Sequence, residues 1–170
     1  MDLKPFIRDI QDWPQKGIVF RDITPLLKDK RAFGYSIEMM YDKFKESAVD
    51  IIVSPESRGF IFGSALSVKM KTGFVPVRKK GKLPWKKLSQ EYNLEYGKDT
   101  VEMHKDAIRK GDKVLIVDDL LATGGTISAV RELVEKSGGQ IKGFCFLIEL
   151  TDLKGRERLQ GYDVFSLLKY

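Results

Sequence analysis

Apolar residues follow two different periods along this chain. Short apolar runs, typical of strands buried on both faces of a parallel sheet, lie within residues 50–54, 74–78, 114–117 and 141–148. Stretches with apolar residues three or four positions apart, typical of amphipathic helices, occupy residues 33–44, 61–68 and 127–134. This alternation predicts an α/β fold in which helices flank a central, mostly parallel sheet.

Two further segments depart from this regular alternation. Residues 7–27 mix apolar residues with Pro14 and Gly17, which predicts a short helix followed by a loop-rich cap. Alternating apolar residues on both sides of Gly97-Lys98-Asp99 predict a β-hairpin. We therefore expect a single domain, residues 1–170, with a small hood over roughly residues 1–30 and a flexible flap over roughly residues 79–103. The hairpin is expected to form the base of this flap, and the lysine-rich stretch that begins at Lys79 its tip.

The stretch from Val114 to Thr126 joins a buried strand to a helix through a polar turn. A helix begins with N–H groups that have no partner within the helix, and its dipole adds partial positive charge there. Gly124 and Gly125 would let the backbone close around a phosphate, and Thr123 and Thr126 would add hydroxyl donors. The turn Ala122–Thr126 is thus a candidate phosphate site.

Two acids, Asp118 and Asp119, precede this turn at the carboxyl end of the predicted strand, where open α/β sheets place ligands. Carboxylates repel phosphate, but the conflict disappears if the ligand has hydroxyl groups beside its phosphate. A ribose 5-phosphate meets this condition, with the acids accepting hydrogen bonds from the sugar or helping to hold magnesium. The alternative is an ordinary strand-to-helix junction that binds nothing.

A second strand-turn-helix sequence runs through Pro55-Glu56-Ser57-Arg58-Gly59. The turn offers free N–H groups, and an arginine is a bidentate donor suited to phosphate. An isolated arginine is more often part of a surface ion pair. A second anion site at the same edge of the sheet is, however, what a sugar with two phosphorylated positions requires.

Composition and charge narrow the class of protein. The formal net charge is +6, and the lysines are densest at Lys79, Lys80, Lys82, Lys86 and Lys87. Only Trp85 lies near them as a stacking aromatic residue, so a polyphosphate substrate fits better than a nucleic acid. The single cysteine, Cys145, lies in an apolar run and is expected to be a small buried side chain in a reducing compartment, which indicates the cytoplasm.

Several other classes of site lack their sequence patterns. The sequence contains neither a P-loop nor a dinucleotide-binding glycine motif, and no apolar run approaches the length of a membrane span. The one histidine, His104, has no nearby partners for a metal site or a hydrolase triad, and we expect it to be exposed or at a strand edge.

The stretch Val114–Thr126 resembles the phosphoribosyl pyrophosphate motif of the type I phosphoribosyltransferases. Five other segments resemble the adenine-specific members of that family, and together they cover nearly the whole chain in order. They are Val19-Phe20-Arg21-Asp22-Ile23, Glu56-Ser57-Arg58-Gly59-Phe60, Arg78-Lys79-Lys80-Gly81-Lys82-Leu83-Pro84, Leu94-Glu95-Tyr96-Gly97 and Leu150-Thr151-Asp152-Leu153-Lys154-Gly155-Arg156-Glu157.

The resemblance implies transfer of a phosphoribosyl group from phosphoribosyl pyrophosphate to adenine, giving AMP and pyrophosphate. It implies Mg²⁺ as cofactor and a homodimer as the assembly. By the same resemblance Glu95, Arg58 and Lys79 are catalytic, and Ser57, Arg58 and Lys79 bind pyrophosphate. The expected phosphoribosyl and AMP site comprises Asp118, Asp119, Ala122, Thr123, Gly124, Gly125 and Thr126.

The adenine site is the hardest part of the expected site to predict from the sequence, because recognition by main-chain groups does not require particular side chains. The resemblance assigns it to Val19, Phe20, Arg21, Leu121 and Leu150. From the sequence alone, Val19 and Phe20 are more simply explained as core residues. The alternatives for function are a phosphoribosyltransferase acting on another nucleobase and a non-catalytic regulator that senses phosphoribosyl pyrophosphate.

Overall fold

Strands and helices alternate through most of the chain in this computed structural model, which describes residues 1–94 and 97–170. The strands are β1 Arg8–Gln11, β2 Val19–Asp22, β3 Ile51–Pro55, β4 Gly73–Lys79, β5 Lys87–Leu94, β6 Gly97–His104, β7 Lys113–Leu121, β8 Gln140–Glu149 and β9 Val164–Lys169. The α-helices are α1 Thr24–Lys28, α2 Lys30–Phe44, α3 Gly59–Met70 and α4 Gly125–Lys136. Short 3-10 turns occupy Lys4–Phe6, Thr151–Leu153 and Gly155–Leu159.

The main sheet has seven strands in the order β5-β6-β4-β3-β7-β8-β9. Five adjacent strands of this sheet, in the order β4-β3-β7-β8-β9, are parallel to one another, and β7 is the middle one. The hairpin β5-β6 joins the edge at β4 in antiparallel fashion. The predicted α/β fold with a mostly parallel sheet is confirmed.

Helices cover the sheet because β7 is apolar on both faces. Val114 and Ile116 belong to one buried cluster that includes Val130 and Leu133 of α4. Since alternate residues of a strand point to opposite faces, Leu115 and Val117, which are equally buried, point to the other face. The prediction of a strand buried on both sides at residues 114–117 is therefore confirmed.

Helix α3 packs very closely against β3. A Cβ atom added to Gly63 would lie 2.0 Å from Ser54 Oγ and 2.9 Å from the ring of Phe74. Only glycine fits at such a distance, so the sequence Gly-Phe-Ile-Phe-Gly at the start of α3 is set by this contact. The packing fixes the position of the turn between β3 and α3.

The chain forms two compact units, residues 1–39 and 40–170. In the first unit the predicted short helix near Ile7 is wrong, because Arg8–Gln11 form strand β1, which pairs antiparallel with β2. Cross-strand pairs of opposite charge favour this pairing. Arg21 bonds to Asp9, and Arg8 Nη1 lies 3.5 Å from Asp22 Oδ2.

The hairpin in the second unit also differs from its prediction. Gly97, Lys98 and Asp99 do not form the turn but begin β6, where Gly97 pairs with Leu94 and Asp99 with Tyr92. The lysine-rich segment was expected at the tip of the flap, yet Lys87 pairs with His104 at the opposite end of the hairpin. Among the helices that the structure describes, none has the length and apolarity needed to cross a bilayer.

Candidate active site

Strand β7 carries the two acids into the site. The strand was predicted to end at Val117, but it continues to Leu121. Asp118 and Asp119 therefore lie within the strand and not beyond its end. Asp119 is 5% exposed, and its Oδ2 lies 2.8 Å from Arg58 Nε. Asp118 Oδ1 accepts a hydrogen bond from the backbone N–H of Asp119 at 2.8 Å. The arginine predicted as an anion donor thus contacts an acid of the neighbouring strand.

The turn after β7 has the predicted form of an anion site. Gly124 adopts a left-handed backbone with φ of 80°, and α4 begins at the next residue without a side-chain cap. The first N–H groups of α4 therefore remain available to a ligand. Thr126 and Ile127 follow within the first turn of the helix.

One cavity of about 240 Å³ brings the acids and the turn together. Its lining consists of Arg58, Asn93, Asp118, Asp119, Leu120, Leu121, Ala122, Thr123, Gly124, Gly125, Thr126 and Ile127. Every residue predicted to bind the phosphoribosyl group lies in this cavity. Carboxylates, free helix N–H groups and a guanidinium group thus meet in a single pocket.

Both acids are electrostatically strained, chiefly by their burial. Burial raises the pKa of Asp118 well above its usual value, and the adjacent Asp119 raises it further. Burial also raises the pKa of Asp119, while Arg58 opposes this rise. Hydrogen-bond donors or a cation placed in the cavity would relieve this strain by stabilising the charged carboxylates.

A backbone contact from outside the pocket supports the phosphate turn. Gly155 lies so close to it that an added Cβ would be 2.1 Å from the carbonyl oxygen of Ala122 and 3.0 Å from the amide nitrogen of Gly124. Arg156, which follows, bonds to both carboxylate oxygens of the buried Glu149 at the end of β8. The segment that resembled the family motif at residues 150–157 is therefore a support for the turn.

The predicted pyrophosphate residues are only partly brought together. Arg58 lines the cavity, whereas Ser57 is exposed and lies outside its lining, and the peptide bond between Glu56 and Ser57 is cis. Lys79 also lies outside the lining, with its Nζ 2.9 Å from Asp99 Oδ2. The structure thus gives Arg58 direct access to the cavity and gives Lys79 a different partner.

Two acids hold the lysine loop, which we define as residues 79–87. Glu56 accepts hydrogen bonds from the backbone N–H of Lys79 at 2.6 Å and from Lys82 Nζ at 3.0 Å. Glu102, which is 2% exposed, accepts from the N–H of Gly81 at 2.9 Å and pairs with Lys87 Nζ at 3.0 Å. The loop is anchored at both ends, a feature that its lysine-rich sequence did not reveal.

The candidate adenine residues fall in both units. In the second unit the N–H of Leu150 donates to the carbonyl of Leu121 at 2.9 Å, so these two apolar candidates are neighbours at the ends of β8 and β7. In the first unit Val19, Phe20 and Arg21 are half-buried in β2, and the ring centroid of Phe20 lies 4.4 Å from that of Trp13. The interpretation of Val19 and Phe20 as plain core residues is not supported.

The other residues that the sequence analysis singled out are Glu95, Cys145 and His104. Glu95, the candidate acid for proton movement, lies outside the described residues. Cys145 is fully buried, and burial raises the pKa of its thiol. Among residues 1–94 and 97–170, no group of three or more His, Cys, Asp or Glu is placed to hold a metal ion. His104 ends β6 and is half-buried, beside the ring of Trp85.

The fold and the cavity together define a phosphoribosyltransferase, and residues 25–169 match the phosphoribosyl transferase domain family. The adenine phosphoribosyltransferase of Halothermothrix orenii is 59% identical to this chain over 169 residues, which are 99% of each. The crystal structure of adenine phosphoribosyltransferase from Thermoanaerobacter pseudethanolicus has a TM-score of 0.96 at 56% identity, covering 99% of this chain and 98% of that one. The adenine phosphoribosyltransferase of Saccharomyces cerevisiae, in a complex with adenine and an imino-altritol bisphosphate, has a TM-score of 0.92 at 40% identity, covering 98% of this chain and 96% of that one.

The chain belongs to the adenine phosphoribosyltransferase family. It transfers the 5-phosphoribosyl group of phosphoribosyl pyrophosphate to adenine, giving AMP and pyrophosphate in a reaction of purine salvage. The alternatives of another nucleobase and of a non-catalytic regulator find no support among these relatives.

Proposed function

We propose that the cavity at the end of β7 binds the phosphoribosyl group with the 5-phosphate on the turn Ala122–Thr126. The free N–H groups at the start of α4 and the hydroxyls of Thr123 and Thr126 donate to the phosphate oxygens. Asp118 and Asp119 accept hydrogen bonds from the 2′- and 3′-hydroxyls of the ribose. The observation that carries this proposal is the meeting of two electrostatically strained carboxylates and an uncapped helix start in one cavity.

The leaving pyrophosphate is assigned to Ser57, Arg58 and Lys79. Departure of pyrophosphate builds negative charge on the leaving group and positive charge on C1′ of the ribose, so the site must stabilise both. Arg58 is suited to this task because it lines the cavity, and a guanidinium group is a planar cationic donor whose geometry matches phosphate oxygens. Lys79 reaches the pyrophosphate by leaving its present partner.

Adenine is proposed to contact Leu121 and Leu150 through apolar surface, and Val19, Phe20 and Arg21 through main-chain groups and the ring of Phe20. Glu95 is proposed to assist proton movement on the imidazole side of adenine as N9 attacks C1′. Residues 79–103 form the flap of this proposal, and residues 1–30 the hood. A closed flap would keep water from the sugar cation.

Magnesium fits the donor set of the cavity only as a shared ion. Mg²⁺ prefers six oxygen ligands and commonly keeps waters and substrate phosphates among them. Asp119 is already paired with Arg58, so Asp118 is the carboxylate most available to help hold an Mg²⁺ that the pyrophosphate oxygens bind. The ion would supply charge neutralisation on the leaving group.

A homodimer is part of the same proposal. Helix α3 is rich in apolar residues, and these are not confined to the buried side on which Phe62 and Leu66 lie. Val68 in this helix is 81% exposed. A second copy of the chain packed on α3 would cover it. The cytoplasm is the proposed compartment, since a reducing environment suits the one unpaired thiol of Cys145.

The double substitution Asp118→Asn with Asp119→Asn tests the proposed role of the acids. Asn keeps the shape but weakens acceptance from ribose hydroxyls, so we expect kcat/KM for phosphoribosyl pyrophosphate to fall at least about 100-fold, the loss of roughly two charge-assisted hydrogen bonds. Steady-state kinetics at saturating adenine measures this change.

Stability provides the control for this experiment. The folded-state pKa values of both acids are raised above the unfolded value of 3.8, so ionisation costs stability as the pH rises from that value through the folded values. Asn does not titrate, and the double variant should therefore be more stable than the wild type at neutral pH but not at pH 3. Unchanged turnover, or loss of turnover together with unfolding, would contradict the assignment.

A further inference from the structure

An ion pair joins the lysine loop to the hairpin β5-β6, which also reaches the phosphate turn. Lys79 Nζ lies 2.9 Å from Asp99 Oδ2, and the hydroxyl of Tyr92 donates to the same oxygen at 3.2 Å. Tyr92 also lies beside the phosphate turn, since a Cβ atom added to Gly125 would be 3.5 Å from its ring. Tyr92 and Asp99 face each other across the hairpin, because they pair in its register.

The lysine loop and the phosphate turn each carry a residue with an assigned anionic ligand. Lys79 is proposed to bind pyrophosphate, and Thr126 to bind the 5-phosphate. In this structure the ammonium group of Lys79 is instead occupied by the carboxylate of Asp99, which itself lies outside the cavity lining. An acid of the hairpin thus takes the place of the substrate anion at Lys79.

Lys79 and Asp99 each stabilise the charged form of the other. Lys79 holds the pKa of Asp99 below its usual value, and Asp99 holds the pKa of Lys79 above its usual value. Both groups are therefore charged at neutral pH. The side chain of Lys79 is 57% exposed and that of Asp99 is 22% exposed, so the attraction is moderate and a more highly charged anion can replace the carboxylate.

We propose that Asp99 is a positioning residue that retains Lys79 whenever pyrophosphate is absent, so that pyrophosphate binds by breaking this pair and is released as the pair re-forms. The inference rests on the proposed role of Lys79 toward pyrophosphate. An intramolecular competitor lowers the apparent affinity by the fraction of molecules in which Lys79 is free. The pair weakens the binding of substrate and of the pyrophosphate product alike, and so favours product release.

The substitution Asp99→Asn tests this proposal. It removes the charge that retains Lys79 while keeping the size of the side chain. We expect the inhibition constant of pyrophosphate and the KM for phosphoribosyl pyrophosphate to fall together by about two- to fivefold, the range set by a half-exposed ion pair. The KM for adenine should stay unchanged, and Asp99→Glu, which keeps the charge, should restore values near those of the wild type.

Glu91→Gln is the matched control on the same hairpin. It removes the exposed ion pair between Glu91 and Lys98, whose atoms are 2.7 Å apart, without touching Lys79. We expect both pyrophosphate-dependent constants to remain at their wild-type values. An equal change in this variant would show a general effect of hairpin charge and overturn the proposal.

A double-mutant cycle with Lys79→Gln separates this inference from the proposed function on which it rests. If Lys79→Gln leaves the inhibition constant of pyrophosphate unchanged, the assigned role of Lys79 is wrong. If Lys79→Gln raises that constant, Asp99→Asn should lower it only when Lys79 is present. Persistence of the Asp99→Asn effect in the Lys79→Gln background, or a rise of the constant in Asp99→Asn alone, would overturn the proposal.

Discussion

Gly155 supports the phosphate turn at a distance that no other residue permits, so Gly155→Ala should disturb the site without touching a ligand. The new Cβ would lie 2.1 Å from the carbonyl oxygen of Ala122, whereas ordinary contacts begin at 3.4 Å. The difference, 3.4 − 2.1 = 1.3 Å, is the displacement that the two backbone segments must share. The two nearest atoms, the oxygen of Ala122 and the nitrogen of Gly124, both belong to the backbone, so no flexible side chain can move aside instead.

The magnitude follows from this displacement. A shift of about 1 Å in a substrate-positioning segment can cost about 100-fold in rate, and we expect a loss of this order in kcat/KM for phosphoribosyl pyrophosphate. Overpacking of this kind typically lowers the free energy of unfolding by about 1–3 kcal/mol. Most of the domain should remain folded at room temperature, because a domain typically has about 5–15 kcal/mol of stability.

The assay is steady-state kinetics with phosphoribosyl pyrophosphate varied at saturating adenine, together with thermal unfolding. Gly73→Ala is the matched control, because its Cβ would meet its nearest neighbour, a side-chain atom of Ile51, at an ordinary 3.6 Å. We expect near wild-type kinetics from that variant. Wild-type KM and wild-type stability in Gly155→Ala would refute the role of Gly155 as the support of the turn.

Three further predictions concern other parts of the proposal. Arg58→Ala should slow the pyrophosphorolysis of AMP by about 10- to 100-fold, since it removes a charged donor; normal reverse rates would show that Arg58 does not contact pyrophosphate. Glu95→Gln should lower kcat by about 100-fold with little change in the KM for adenine, and an effect confined to KM would contradict a role in proton movement. Val68→Asp should convert a dimer to monomers in analytical ultracentrifugation, whereas an unchanged sedimentation coefficient would place the interface elsewhere.

The part of the site that could be predicted from sequence is the part built from contiguous residues. The strand, the two acids, the glycine turn and the start of α4 follow one another between Val114 and Thr126, so their spacing alone indicates a phosphate and ribose site. The same holds for the turn that carries Arg58. In both cases the topology of a parallel sheet brings the ends of neighbouring strands to one edge.

The parts that could not be predicted depend on contacts between distant segments. Gly155 and Asn93 reach the phosphate turn from other elements, and nothing in their neighbouring sequence indicates this. The hairpin turn was misplaced because Gly97 is a common turn residue, yet its φ of 102° occurs at the first position of β6. Strand β1 was misread as a helix because its pairing with β2 depends on cross-strand ion pairs.

The anchoring of the lysine loop has a consequence for how strongly this cationic protein binds nucleic acids. Glu56 and Glu102 already pair with Lys82 and Lys87, so fewer of these ammonium groups are available to neutralise the phosphates of a nucleic acid. Non-specific affinity for RNA and DNA comes chiefly from lysines and arginines that neutralise phosphates and displace the cations condensed on the nucleic acid, so internal pairing removes part of that driving force. An excess of +6 charges can thus coexist with little tendency to become trapped on the nucleic acids of a crowded cell.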